Sequence, residues 1–420
     1  MVQYLLLAGR IGFRAASRVV EATTTFFHIQ WKVPSPTTAR AWLLRIALYQ
    51  LLCVRMIADD WIWIADHTVK IGPEKCFVVL AIRASELPPP GTPLRLQDLQ
   101  LLQLFPVTHS DGYVVHEQLE ATIAKTGVPR AILGDHGSDL QAGINLFCAA
   151  HPETQSSYDV AHKAARLLKA RLDKDPQWKS FCSQAGQTKC QTQQTELAFL
   201  VPPSQRSKAR YMNLAPLLRW ARVTLHILNC HPPEVMRFIS IERLEKKFGW
   251  LREFETCLAQ WSEYDLLLDT TVDEVRRYGY AHDTAYQVAL RLMPHVSSDR
   301  GHELKDALVK FVADESSSLR FGERLPGSSE ILESAFGRLK TMEGDQQKCG
   351  FTSLLLSLGT LVGRIDKDTI RTALTEVPGK MVDTWISENL GHTHQSKRKI
   401  AFSQLRNNPD VNTTTVQGKL

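Results

Sequence analysis

The spacing of apolar positions changes character along the chain, and each change marks a new kind of element. Residues 1–55 read as helical: Ala15, Ala16, Val19 and Val20 recur at helical spacing, and Ser35-Pro36 supplies an N-cap and a first-turn proline for a helix carrying Thr37, Thr38, Arg40, Trp42 and Arg45. From Trp61 the pattern turns to β-branched, strand-like residues, which predicts a buried strand over 61–71. Gly72-Pro73-Glu74-Lys75 reads as a turn, 76–83 as a nearly all-apolar second strand, and a third strand lies near 102–108, after a loop opened by Pro88-Pro89-Pro90-Gly91. Val115, Leu119 and Ile123 stand four apart, which predicts a helix over 115–125 that Gly127-Val128-Pro129 stops. A fourth strand over 130–133 leads into Gly134-Asp135-His136-Gly137-Ser138, and Ser138 reads as the N-cap of a helix over 139–150. Residues 158–162 read as a short fifth strand running into a basic helix over 163–173. Adjacent strands followed by helix and further strands imply an α/β fold, a mixed sheet with flanking helices.

Residues 174–321 are mostly amphipathic helix, as over 241–268 and 272–292, and read as an all-helical insertion. After a loop over 322–329 the β-rich part is completed by a helix over 330–340. Leu332, Ala335, Phe336 and Leu339 form its apolar face, while Glu330, Glu333, Gly337 and Lys340 share another side. Two further helices are expected over 350–363 and 367–377. The expected organisation is therefore a helical segment at 1–57, a first core part at 58–173, the insertion at 174–321, a second core part at 322–390 and a polar, basic, disordered tail at 391–420.

Composition narrows the partners. The chain has 420 residues and a formal net charge of +6, a mild basic excess that suits a nucleic-acid partner. Its eight cysteines form no CxxC pair, which argues against structural zinc and for a reduced, cytoplasmic setting. The apolar run 43–57 is interrupted by Arg45 and Arg55 and is too short to span a bilayer, so no membrane partner is expected. Arg206, Lys208 and Arg210, beside Tyr211, either grip phosphates or form a solvated loop. The same choice applies to the basic helix that begins at Lys163.

Three acids carry the candidate chemistry: Asp66 on the first strand, Asp135 just after the fourth, and Glu333 on the late helix. A bare buried charge is too costly, so an acid on an apolar strand must be hydrated, paired or metal-bound. If the first and fourth strands are neighbours, the two aspartates approach at one edge of the sheet, where they repel unless a cation lies between them. Mg²⁺ takes one or two carboxylates and keeps its other positions for water and phosphate oxygens. Lys340, two turns after Glu333, is placed to hold a DNA phosphate, and Glu330 is the rival third acid.

This constellation resembles the DDE transposases of the ribonuclease H-like superfamily, over roughly residues 58–170 and 325–345. The first aspartate maps on Asp66 in Ala65-Asp66-His67-Thr68 and the second on Asp135 in Leu133-Gly134-Asp135-His136-Gly137. The glutamate maps on Glu333, seven residues before Lys340. Asp159-Val160-Ala161-His162 looks like the Asp/Cys-x-x-His element of several such groups, although the two side chains can equally pair to fix a strand–helix junction. His136, beside the second aspartate, is a candidate substrate contact. The helices around Arg40 resemble the end of a helix-turn-helix DNA reader. The resemblance implies a transposase of a bacterial insertion sequence that holds two Mg²⁺ or Mn²⁺ ions on Asp66, Asp135 and Glu333. It would bind transposon ends and target DNA, work as a homo-oligomer on DNA, and be associated with the nucleoid. Two other readings share these residues: a non-transposing nuclease or integrase of the same fold, and a truncated or domesticated DNA-binding protein that no longer cuts.

Overall fold

The computed structural model describes residues 1–71, 74–204, 211, 214–344, 352–390 and 400–404. They form an α/β protein in two compact units. One comprises 1–88, 94–156 and the part from Ser329 onward, and the other 89–93 and 157–328. The first unit opens with α1 (Val2–Leu7), α2 (Phe13–Phe26) and α3 (Pro36–Leu52), followed by β1 (Trp61–Ile71), β2 (Glu74–Arg83), β3 (Gln100–Val107), α4 (Gly112–Thr126), β4 (Ala131–Gly134) and α5 (Ser138–Ala150). β5 (Gln155–Tyr158) closes a five-stranded sheet of order β3-β2-β1-β4-β5. β1 runs antiparallel to β2 and parallel to β4, and β2 runs antiparallel to β3. The sheet is thus mixed, as the element pattern implies.

The strands alternate faces, and both faces are apolar because both are covered. Trp61, Trp63 and Ala65 of β1 join Phe77, Val79, Leu102 and Ile132 against Val115 and Leu119 of α4 and Leu140, Ile144 and Phe147 of α5. α4 and α5 lie unusually close, and glycine is the reason. A Cβ on Gly143 would fall 2.4 Å from Val115 Cγ1, and one on Gly112 would fall 2.6 Å from Ala142 Cβ. Lys125, at the end of α4, donates to the Leu51 carbonyl at 2.9 Å and to the Leu102 carbonyl at 2.5 Å, and burial lowers its pKa to about 8.

α3 is capped as the sequence predicts, with Ser35 Oγ accepting from Thr38 N at 3.1 Å. Leu43, Leu44, Ile46, Ala47, Leu48 and Leu51 are all buried, which covers the helix nearly all round. A Cβ on Gly359 would lie 2.6 Å from Ala47 O, so that chain passes directly over the helix. α1 and α2 add a small apolar cluster of Val2, Leu6, Ala16, Val20 and Ala39 beside it.

The second unit holds α6 (Val160–Leu172), α7 (Pro176–Thr192), α8 (Ala215–Cys230), α9 (Pro233–Met236), α10 (Ile241–Phe248), α11 (Glu255–Tyr278), α12 (Thr284–Leu292) and α13 (Asp299–Ser316). Its core is aromatic: Trp261 stacks edge-on against Trp178 at 4.9 Å and lies 5.1 Å from Phe181. The first unit ends with α14 (Glu330–Gly344), α15 (Leu358–Leu361), α16 (Lys367–Glu376) and α17 (Gly379–Asn389). Among the described residues, no helix is long and apolar enough to cross a membrane.

Some boundaries differ from the sequence expectation. The fifth strand ends at Tyr158, and Asp159 turns the chain into α6 rather than continuing the strand. Ser138 is the first residue of α5, with Gly137 at the cap position. The apolar pattern over 272–292 is broken at Gly279, whose φ of +75° ends α11 and where a Cβ would lie 2.4 Å from Leu325 O. The stretch 391–399 and the residues beyond 404, where a disordered tail is expected, lie outside the described residues.

Candidate functional site

β1 and β4 pair in parallel through Ile62↔Ala131, Trp63↔Ile132 and Ile64↔Leu133. Asp66 and Asp135 each follow the last pair by two residues, so both arrive at the same level of the sheet. By alternation Asp66 shares a face with Ile62 and Ile64, away from the tryptophans. Gly134 permits tight closure at this end: a Cβ there would meet Leu140 Cδ2 at 3.1 Å and Ile144 Cδ1 at 3.2 Å.

Each aspartate also shapes its own loop. Asp66 Oδ1 accepts from His67 N at 2.6 Å. Asp135 Oδ1 accepts from Gly137 N at 2.8 Å, an Asx turn around His136, which takes the left-handed conformation at φ 53°. Asp135 Oδ2 makes no hydrogen bond among the described residues. His136 Nε2 lies 3.3 Å from Ser156 Oγ.

Glu333 is on α14, whose Leu332, Ala335, Phe336 and Leu339 are buried as the helical pattern predicts. α14 comes alongside β1, yet none of its residues belongs to the Trp61–Phe147 cluster. Its contacts with β1 therefore fall outside that cluster. The Glu333 and Lys340 side chains are both exposed on the helix, and Glu330 is partly buried. Among the described residues no group of three or more His, Cys, Asp or Glu side chains is gathered closely enough to hold a metal ion. The pair of hard carboxylates at the strand ends fits a magnesium-like cation in donor type. Asp66, Asp135 and Glu333 are not gathered as such a group.

Behind the aspartates is a polar network that sequence reading did not single out. Lys75 Nζ pairs with Asp139 Oδ2 at 2.9 Å, Ser110 Oγ donates to the same oxygen at 2.7 Å, and His67 Nε2 lies 3.2 Å from Ser110 Oγ. Burial works to raise the Asp139 pKa, but hydrogen bonds from Lys75 and Ser110 overcome it and hold the carboxyl at about 2. Burial lowers the His67 pKa, against the pull of Asp139. The network ties the strand that carries Asp66 to the start of α5, just after Asp135. Its only trace in the sequence is the position of His67 and Asp139 next to the two aspartate motifs.

No family model matches the chain. A search of curated proteins likewise returns no match.

The remaining candidates fall elsewhere. Asp159 and His162 lie in the helical unit, where Asp159 is fully buried and caps α6: its Oδ1 accepts from His162 N at 2.8 Å and faces His162 Nδ1 at 3.0 Å. That is the junction-fixing arrangement. Lys163 lies 5.5 Å from the ring centres of both Tyr158 and Phe311, a cation–π sandwich rather than an open basic face. Arg40, expected at a DNA surface, is turned inward. It donates to Ser353 Oγ, and burial lowers its pKa. Arg45, on the same helix, donates from Nε to Val377 O at 2.5 Å and also to Leu374 O. Arg206, Lys208 and Arg210 lie outside the described residues.

Proposed function

We propose that the chain is a DDE-type DNA transposase of a bacterial insertion sequence with a ribonuclease H-like core. What carries the reading is the parallel pairing of β1 with β4, which delivers Asp66 and Asp135 to one level of the sheet. Two further facts support it: α14, the helix of Glu333 and Lys340, packs alongside β1, the strand of Asp66, and the helical unit lies between β5 and that helix in sequence. Asp66 and Asp135, with Glu333 as third acid, are the residues that would hold Mg²⁺ or Mn²⁺. When bound, such ions activate an attacking oxygen and stabilise a leaving one. The chain's own part is to fix the two aspartates through the His67 and Gly137 amides and to offer Lys340 to a DNA phosphate. A homo-oligomer on paired transposon ends, acting in the bacterial nucleoid, belongs to the same proposal.

The test is a cleavage assay on DNA carrying the ends of the element, with Mg²⁺ present. Asp66→Asn should abolish cutting and leave DNA binding intact, whereas full activity in that variant overturns the assignment.

A second reading is favoured by one observation: Asp66, Asp135 and Glu333 form no three-acid group among the described residues. It is a DNA-binding descendant that no longer cuts. Binding without metal, together with no cleavage by the unmodified chain in Mg²⁺ or Mn²⁺, selects it.

A further inference from the structure

Two cavities in the first unit open side by side and share Gln97 and Gly363 as a common wall. The larger, of about 510 Å³, lies between α1, the 94–97 segment, α14 and the 360–370 segment; the smaller is about 430 Å³. Gly363 forms the saddle between them. Its N–H donates to Leu96 O at 2.9 Å, and its φ of +81° is one that glycine adopts without strain.

The charge on the walls is lopsided. Arg95 and Arg338 line the larger cavity, which has no acidic residue in its wall. Arg55 and Arg364 line the smaller one, against Glu86 and Asp98. Neither Arg95 nor Arg338 forms a side-chain ion pair among the described residues; Asp98, in the wall of the smaller cavity, accepts from Arg95 N at 2.9 Å. Two guanidinium groups in the wall of one cavity, with no acid in that wall, suit an anion. The floor is apolar, with Leu96, Ile331, Leu361 and Ile370, and Tyr4 stands half exposed on the rim.

The shape decides what kind of anion. A DNA duplex is read by elements that project into its grooves. A concave, basic channel with an apolar floor and an aromatic at its rim instead takes in a strand whose bases are unpaired. We infer that this groove binds an unpaired DNA strand, with phosphates on Arg95, Arg338 and Arg364 and one base against Tyr4. The inference rests on the transposase reading for the choice of DNA and deepens it, since α14 carries both Glu333 and the groove residues Ile331, Ser334 and Arg338.

The test is fluorescence anisotropy of the full chain, without divalent metal, on a labelled single strand and on the duplex of the same sequence. The unmodified chain should prefer the single strand. Arg95→Ala/Arg338→Ala should weaken that binding about tenfold and flatten the slope of log K against log salt by about 1.4, two phosphate contacts at about 0.7 each. Arg95→Lys/Arg338→Lys should recover most of the slope. Lys310→Ala, on the helical unit, should change nothing. Circular dichroism and the melting temperature show that the double variant is folded; if it is not, Tyr4→Ala, which should loosen the single strand alone, takes its place. Unchanged binding in the folded variants, or an equal loss on duplex and single strand, overturns the inference. Asp66→Asn keeps the two ideas apart. If it cuts normally while the groove variants lose single-strand binding, the transposase reading fails and the groove stands; the reverse pattern sinks the groove alone.

Discussion

Asp66 and Asp135 each lie two residues beyond the register pair Ile64↔Leu133, so two parallel strands carry two carboxylates to one level. On the transposase reading proposed above, the two would act on one site. If that reading holds, replacing either by Asn should lower the rate of Mg²⁺-dependent DNA cleavage roughly a thousandfold, the several kcal/mol that a metal would supply there. The double variant should be no worse than either single one. Additive losses in that assay would show that the two do not act on one site.

The acid limb of stability should report on Asp139. Its carboxyl titrates at about 2 in the folded chain against 3.8 in the unfolded one. The depressed value contributes stability that is present above pH 4 and lost as pH falls toward 2. After allowance for solvent screening, Lys75→Met should remove about 1 kcal/mol at pH 7 and flatten urea-derived stability between pH 4 and 2. A variant whose acid limb matches that of the unmodified chain would refute the role given to the pair.

Glu315 in the helical unit has the opposite sign. It accepts from Tyr158 N at 3.0 Å, and burial raises its pKa to about 7 against 4.5 unfolded, opposed first by that hydrogen bond and then by Lys163. The folded unit holds a proton that the unfolded chain has released, so stability falls as pH rises from 4.5 to 7. Glu315→Gln keeps the acceptor and should remove about 2 kcal/mol of that decline after allowance for solvent screening. Melting temperatures from pH 4.5 to 7.5 decide it, and an unchanged slope counts against the assignment.

Gly143 is a packing requirement. A methyl there meets Val115 within 2.5 Å at two atoms and approaches Gly112 O at 2.9 Å. Gly143→Ala should destabilise by about 1–3 kcal/mol, because α4 and α5 must move apart over Phe147 and Ile144. Chemical denaturation measures this. A neutral or stabilising result would mean that helix propensity outweighs the clash.

Trp261 anchors the helical unit. It is fully buried between Trp178 and Phe181, and its Nε1–H donates to Asp175 Oδ2 at 3.2 Å. Trp261→Ala should cost about 3–5 kcal/mol. If hydrogen exchange shows the unit as protected as before, its core lies elsewhere.

What the sequence determined is what depends on neighbours along the chain. The span of β1, the apolar face of α14 and the Ser35 cap are set by residue spacing, because side-chain direction repeats with the local backbone period. The acids were visible for the same reason, each at the end of an element whose pattern could be read. Tertiary structure alone decided which strand lies beside β1, since pairing joins residues about seventy apart that no local pattern links. It also set Arg40 against Ser353 and Lys163 against Tyr158 and Phe311, and it built the Lys75–Asp139–Ser110–His67 network from four separate segments. Charged side chains show this limit best: the sequence fixes where each begins, but the partner that satisfies its charge comes from elsewhere in the fold.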